Sequence, residues 1–127
     1  MAQYVNTIVL DGGITALKNG ATKMLLISSY IAKQSYATVV ANTLASVVMT
    51  PADFTVAGID GANRTLTSAF KSATATAANG TGSDLHIAFT DGIANVLWVT
   101  DESSNQAVIV GNTINFPPVT YTSAQPV

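Results

Sequence analysis

Apolar and polar residues alternate over short stretches of this chain, and two-residue turn signals separate the stretches. Val, Ile, Thr and aromatic residues dominate these stretches, which is typical of strands with one buried face. The turns pair Gly with Asn or Asp, residues that tolerate a positive φ. We therefore predict an all-β, single-domain β-sandwich, jelly-roll-like, with one or two short helices. The turn dipeptides are Asn19-Gly20, Asp60-Gly61, Asn79-Gly80, Asp91-Gly92 and Gly111-Asn112.

The clearest predicted hairpin covers residues 84–100. Every second residue from Leu85 to Phe89 is apolar, and the turn Asp91-Gly92 follows. The second strand is apolar on both faces around Val96–Val99, so we expect it to be central or covered from outside. Further strands are predicted near 23–28, 53–57, 64–76 and 113–122, and a second hairpin near 106–110 and 113–116.

Two short helices are predicted among the strands. The first follows Asp11 and ends at Asn19-Gly20, a typical C-terminal stop. The second starts after Ser35, a predicted N-cap, because apolar residues recur at helical spacing from Tyr36 to Val47. Its β-branched residues make this helix weak. The aromatic residues predicted for the core are Phe54, Phe70 and Phe89.

Charged side chains are scarce, with 5 Lys and Arg and 7 Asp and Glu in 127 residues. Soluble domains usually have roughly one quarter charged residues, so we infer that partners cover much of this surface. All basic residues lie in the first 71 positions and form no stripe, so nucleic-acid binding is not expected. Polar residues and prolines interrupt the uncharged runs 34–52 and 103–127, so we expect no membrane span. The N-terminus lacks the features of a signal peptide.

Candidate catalytic and metal-binding residues are few. The chain has no Cys, which excludes disulfides, thiolate zinc sites and cysteine nucleophiles. His86 is the only histidine, and no Gly-x-Ser-x-Gly motif offers a nucleophile. The loops 60–63 and 91–95 each contain one carboxylate, too few for tight calcium binding. Asp101-Glu102 is interpreted as a solvated loop. We therefore expect no enzymatic activity, catalytic residue, metal or cofactor.

Aromatic residues outside the predicted core are the candidates for contacts with partners, because Tyr and Trp often anchor interfaces. Residues 1–9 and 116–127 contain no charged side chain, and they can form N-terminal and C-terminal arms that extend onto neighbouring molecules. For Trp98, packing in the core is an equal alternative. The candidate interface residues are Tyr4, Trp98, Phe116, Pro117, Pro118 and Tyr121.

Several segments occur in a characteristic order: 10–28, 65–82, 84–92, 97–100, and 103–122 with Gly-Asn-Thr-Ile-Asn-Phe-Pro-Pro. In this order they resemble small virion proteins of tailed double-stranded DNA bacteriophages, some of which are capsid cement or decoration proteins with a β-sandwich or jelly-roll fold. The resemblance covers most of the chain and lies in pattern and small residues. It transfers no catalytic residue.

The resemblance implies a non-enzymatic structural protein of the virion. Such a protein is made in the host cytoplasm, lies on the outer capsid surface, and stabilises the shell by bridging major capsid subunits. Its expected partners are the major capsid protein and neighbouring copies of itself, as a homo-oligomer on the capsid. The alternative is a phage tail, head-fibre or adhesin module that binds a host surface glycan through its loops.

Overall fold

The computed structural model describes residues 3–79, 84–102 and 106–125, and the prediction of an all-β sandwich is confirmed. The strands pair antiparallel. In chain order the elements are α1 (Thr7–Gly20), β1 (Lys23–Ile27), α2 (Tyr36–Ala41), β2 (Thr43–Val48), a 3₁₀ turn (Pro51–Asp53), β3 (Phe54–Ala57), β4 (Arg64–Ser68), β5 (Lys71–Thr74), β6 (His86–Thr90), β7 (Val96–Asp101), β8 (Thr113–Phe116) and β9 (Thr120–Ser123).

Three sheets make up the sandwich, with strand orders β2-β1-β6-β7, β3-β4-β9 and β5-β8. The four-stranded sheet is covered on both faces. From β1, Met24 and Leu26 join the main core, whereas Leu25 and Ile27 join a second cluster with Val39 of α2. Because successive side chains of a strand point to opposite faces, this explains the unbroken apolar run of β1.

The main core lies between the sheets and α1. A fully buried large apolar side chain contributes about 1.5–3 kcal/mol relative to an exposed one, so this cluster supplies most of the apolar stabilisation. The largest buried side chains of the cluster are Phe89, Phe116, Ile14, Met24, Leu26, Leu66, Ile87 and Ile114.

Helix α1 starts earlier than the sequence predicted. The side chain of Asn6 accepts a hydrogen bond from the Ile8 N–H at 2.9 Å and caps the helix. Residues 7–9 are therefore the first turn of a helix, and the prediction that they belong to an extended N-terminal arm is wrong. Arg64 of β4 forms two hydrogen bonds to the Asp11 carboxylate, at 2.8 and 3.0 Å, and holds α1 against the three-stranded sheet.

Helix α2 is shorter than predicted. Ser35 caps it as expected, by accepting a hydrogen bond from the Thr38 N–H. The helix ends at Ala41, however, and residues 43–48 form β2, which pairs with β1. Pairing with a strand outside the segment overrides its weak helical pattern.

The predicted strand 64–76 is interrupted. The structure has two separate strands there, β4 and β5, with Ala69 and Phe70 between them. Phe70 is 59 % exposed, so its predicted place in the core is wrong. Phe54 and Phe89 are buried in the core as predicted.

The predicted hairpin of 106–110 with 113–116 is absent from the described residues. Strand β8 pairs with β5 instead, in the register Ala73↔Ile114. Val108 forms only an isolated bridge with Asn79. The side-chain amide of Gln106 takes the place of a strand, because it bonds both the N–H and the carbonyl oxygen of Asn115, at 3.2 and 2.8 Å.

The C-terminal segment is part of the sandwich up to residue 125. Residues 120–123 form β9, which pairs with β4. The prediction of an extended arm from residue 116 is therefore corrected, because this segment packs in the sandwich. The side chain of Gln125 accepts a hydrogen bond from the Val5 N–H and donates one to the Val5 carbonyl oxygen. Residues 1, 2, 126 and 127 of the predicted arms lie outside the described residues.

Candidate functional site

The predicted interface residues separate into different places. Phe116 has no exposed surface and belongs to the main core, so it is corrected to a core residue. Pro117 and Pro118 connect β8 to β9, the first half-buried and the second exposed. Only Trp98 and Tyr121 come together, with ring centroids 5.6 Å apart and ring planes at 75°.

Trp98 and Tyr121 line a groove of about 220 Å³ between α1 and the edge of the sandwich. Trp98 also stacks on the core residue Phe89, at 5.1 Å between ring centroids. This stacking fixes the indole in position and leaves part of it in the groove. The remaining lining residues are Gly13, Ala16, Leu17 and Leu97.

Small residues of α1 keep this groove open. A Cβ atom at Gly13 would lie 3.6 Å from the Tyr121 hydroxyl oxygen, and one at Gly20 would lie 3.3 Å from a methyl carbon of Leu97. Larger side chains at these positions would fill the groove or displace Leu97. None of the described residues that line the groove is charged, so its chemistry suits an apolar group.

Strand β7 was predicted to be central or covered from outside; it is an edge strand, and its faces are partly covered, by the main core at Trp98 and by the second cluster at Val96 and Val99. Among the described residues it pairs only with β6, and Leu97 is the extra residue of a bulge, because Phe89 faces Trp98 while Thr90 faces Val96. Within the described residues, no hydrogen bond reaches the outward backbone groups of β7. Leu97 is 40 % exposed at this edge.

The N-terminal segment is fixed to the loop before β4. The Tyr4 hydroxyl donates a hydrogen bond to the Asp60 carboxylate, which raises the pKa of Tyr4. Ile59 beside it is exposed, as is Ile8 in the first turn of α1. Tyr4 is therefore bound to the loop that contains the exposed Ile59 and does not lie on a free arm.

His86 bonds a carboxylate and a backbone carbonyl oxygen. Its Nε2 atom lies 3.0 Å from an oxygen of Asp101, and its Nδ1 atom lies 3.1 Å from the Asp84 carbonyl oxygen. The Tyr30 ring is 5.9 Å from the imidazole. Within the described residues, neither ring nitrogen bonds a serine or threonine hydroxyl, so the geometry of a hydrolytic triad is not present there.

The loop 91–95 uses its one carboxylate, that of Asp91, to hold its own backbone. One oxygen of Asp91 accepts hydrogen bonds from three backbone N–H groups, those of residues 93–95, and the other accepts one from the Asn95 side chain. These bonds hold the pKa of Asp91 far below its usual value. Among the described residues, no three His, Asp or Glu side chains cluster as metal ligands would.

The Asp101-Glu102 pair was predicted to lie in a solvated loop, and the structure agrees only in part. Asp101 is exposed at the end of β7, but Glu102 is buried and accepts a hydrogen bond from Gln106 at 3.1 Å. The interpretation of a solvated loop is therefore wrong for Glu102.

Comparisons with protein-family models, curated proteins and solved structures found no match. In the described part of the chain, neither helix is long and apolar enough to cross a bilayer.

The sequence interpretation missed the α1 side of the groove and the open edge of β7. A signal for the first was present, since Gly13, Ala16 and Gly20 lie along one side of α1 and are all small. For the second there was no local signal, because an apolar strand looks the same at an edge and in the centre of a sheet.

Proposed function

We propose that this chain is a non-enzymatic structural protein of a tailed-phage virion, which binds the outer capsid shell and stabilises it by bridging major capsid subunits. One observation carries the proposal: the surface combines few charges with many exposed apolar side chains. Twelve large apolar side chains among the described residues are at least 40 % exposed, as many as the 5 + 7 charged residues of the whole chain. Burial against partners would remove this apolar area from water.

The positions of these side chains support contacts with more than one neighbour. Ile59 lies near Tyr4, Phe70 lies between β4 and β5, and Ile93 lies in the turn between β6 and β7. Leu97 lies beside the groove. A protein that bridges subunits needs at least two separate contact areas, and these side chains belong to different loops and edges.

The groove favours cementing over glycan binding. Sugar hydroxyl groups need hydrogen-bonding partners as well as an aromatic surface, and a buried polar group without a partner costs free energy. Its described lining residues include two aromatic side chains, Trp98 and Tyr121, but no carboxylate or amide side chain.

Purified capsids with and without the protein test the proposal. Mass spectrometry of virions should detect the chain, and release of DNA on heating should occur at higher temperature when it is bound, since a ligand of the assembled shell stabilises that shell. Because the proposed contacts are apolar, the stabilisation should persist at moderate salt. Identical release curves at saturating occupancy would contradict the proposal.

A pair of variants tests the apolar contacts. Ile59→Ser removes an exposed apolar side chain and should lower occupancy of the capsid. Thr55→Ser changes an exposed position of β3 that is already polar and should bind as the wild type does. Thermal unfolding of both free proteins checks that the fold is unchanged. Equal occupancy of both variants would remove Ile59 from the contact.

A further inference from the structure

We propose that the outer edge of β7 pairs antiparallel with the same strand of a second copy, about a two-fold axis, so that two four-stranded sheets become one continuous sheet. The biological role of this pairing rests on the proposed function, because copies that bind side by side on a capsid shell meet at high local concentration. The contact itself can be measured with the protein alone.

The first support is the open hydrogen-bonding edge. An edge strand presents unpaired N–H and C=O groups that a further strand can pair with. At the opposite edge of the same sheet, the Leu44 carbonyl oxygen of β2 accepts hydrogen bonds from the N–H groups of Thr76 and Ala77. In the two-stranded sheet, Gln106 covers Asn115 of β8. Strand β7 has six residues and no such cover within the described residues.

The second support is the composition of the strand. Natural edges are commonly protected by Lys, Pro or a β-bulge. Val96–Asp101 contains neither Lys nor Pro, and its bulge at Leu97 leaves Trp98–Asp101 as a regular edge. Its single charge, Asp101, lies at the C-terminal end. Antiparallel pairing about a two-fold axis keeps the two Asp101 side chains from facing each other, whereas parallel pairing would place them directly opposite with like charges opposed. Charge therefore favours the antiparallel arrangement.

The third support is the surface beside the edge. Leu97 is part of the uncharged groove wall and is exposed at the edge. A second copy brings a strand whose one charged side chain, Asp101, is bonded to His86 and exposed, so no unpaired charge becomes buried in the joint. The groove, at about 220 Å³, is smaller than the 300 Å³ or more of common small-molecule pockets. It is better suited to protein side chains than to a free ligand.

The size of the edge sets the expected strength. A joint of two six-residue strands buries less than the roughly 1,200 Å² of a stable protein interface. We therefore expect a weak dimer in solution, with a dissociation constant of about 0.1–1 mM. On a shell, many such contacts would act together and become strong.

Sedimentation equilibrium of the wild type up to about 2 mM tests the contact. The average mass should rise from 13.1 kDa towards twice that value. Leu97→Asp adds a negative charge on the side of the joint where Asp101 of the second copy lies, and should keep the protein monomeric. Ile93→Asp adds the same charge in the turn of the same hairpin, at a more exposed site, and should dimerise as the wild type does. A wild type that stays monomeric, or a Leu97→Asp variant that dimerises like the control, would overturn the inference.

Cysteine cross-linking tests the edge without depending on that charge change. The chain contains no Cys, so a single introduced cysteine reports only its own position. Because the bulge at Leu97 leaves Trp98–Asp101 as the regular part of β7, we place the two-fold axis at Val99 or Thr100. Val99→Cys or Thr100→Cys should form disulfide-linked dimers about tenfold faster than Thr55→Cys on the edge strand β3. Equal rates at all three positions would overturn the inference.

The two proposals fail in different ways. A protein that dimerises through β7 but does not stabilise capsids would keep this inference and contradict the proposed function. If the protein stabilises capsids but neither Val99→Cys nor Thr100→Cys forms disulfide-linked dimers on the capsid, the proposed function is kept and this inference is contradicted.

Discussion

Replacing Phe116 with Ala should strongly destabilise the protein, whereas Phe70→Ala should change its stability little. The two rings belong to the same region, since Phe116 of β8 pairs with Lys71, the residue after Phe70. Phe116 has no exposed surface, and Phe70 is 59 % exposed. The pair therefore separates burial from residue type.

The magnitudes follow from this burial. A buried Phe→Ala change costs about 3–5 kcal/mol, because apolar transfer free energy is lost and a cavity remains. A change at an exposed position usually stays within about 0.5 kcal/mol. An unfolding entropy of about 2.1 cal/mol/K per residue gives about 270 cal/mol/K for the 127 residues. Phe116→Ala should therefore lower Tm by roughly 11–19 °C, and Phe70→Ala by less than about 2 °C.

Thermal unfolding followed by circular dichroism measures both shifts, and urea unfolding gives the same order at constant temperature. Phe116→Leu serves as a control, since it keeps most of the apolar volume and should lie between the wild type and Phe116→Ala. If Phe70→Ala lowered Tm as much as Phe116→Ala, the assignment of Phe116 to the core and Phe70 to the surface would be refuted.

Two further predictions concern a backbone turn and an ion pair. Gly58→Ala should lower the urea midpoint far more than Gly61→Ala: both glycines have positive φ, but an added Cβ at Gly58 would clash with the backbone oxygen of Asn63, whereas one at Gly61 would meet open space. Equal midpoints would contradict the described turn. The hydrogen bond from Arg64 lowers the pKa of Asp11 below its ordinary value of 3.8. The ion pair therefore stabilises the fold at pH values above 3.8, and this stabilisation is lost as the pH falls through the lowered pKa of the folded protein. The free energies of unfolding of the wild type and Asp11→Asn should therefore differ most at neutral pH and converge below about pH 4, as measured by urea unfolding at each pH; a constant difference would contradict this.

Local signals in the sequence were sufficient for several elements. The apolar runs predicted β1 and β6, and Ser35 was correctly identified as the cap of α2. The turn between β6 and β7 lies where Asp91-Gly92 indicated, but it extends to Asn95 because the Asp91 side chain bonds three backbone N–H groups. These features depend on residues close in the chain, so a short window contains the interactions that form them.

The candidate interface was less predictable. Residue type predicts Trp98 and Tyr121 as interface residues, and both line the groove and pack partly against the main core. Residue type predicts Phe116 in the same way, and this residue is fully buried. An aromatic side chain is equally suited to a core and to an interface, so residue type could not separate Phe116 from the other two.

By itself the sequence determined the fold class, the scarcity of charge and the position of most turns, because composition and local spacing are properties of the chain alone. The tertiary structure decided which strand lies at an edge and which face of each strand is buried. Ala73 pairs with Ile114 and not with its nearer neighbours, and α1 covers the sandwich beside Trp98. A strand's period of two residues distinguishes its two faces, but the free energy that selects a partner comes from distant residues that meet only in the folded protein.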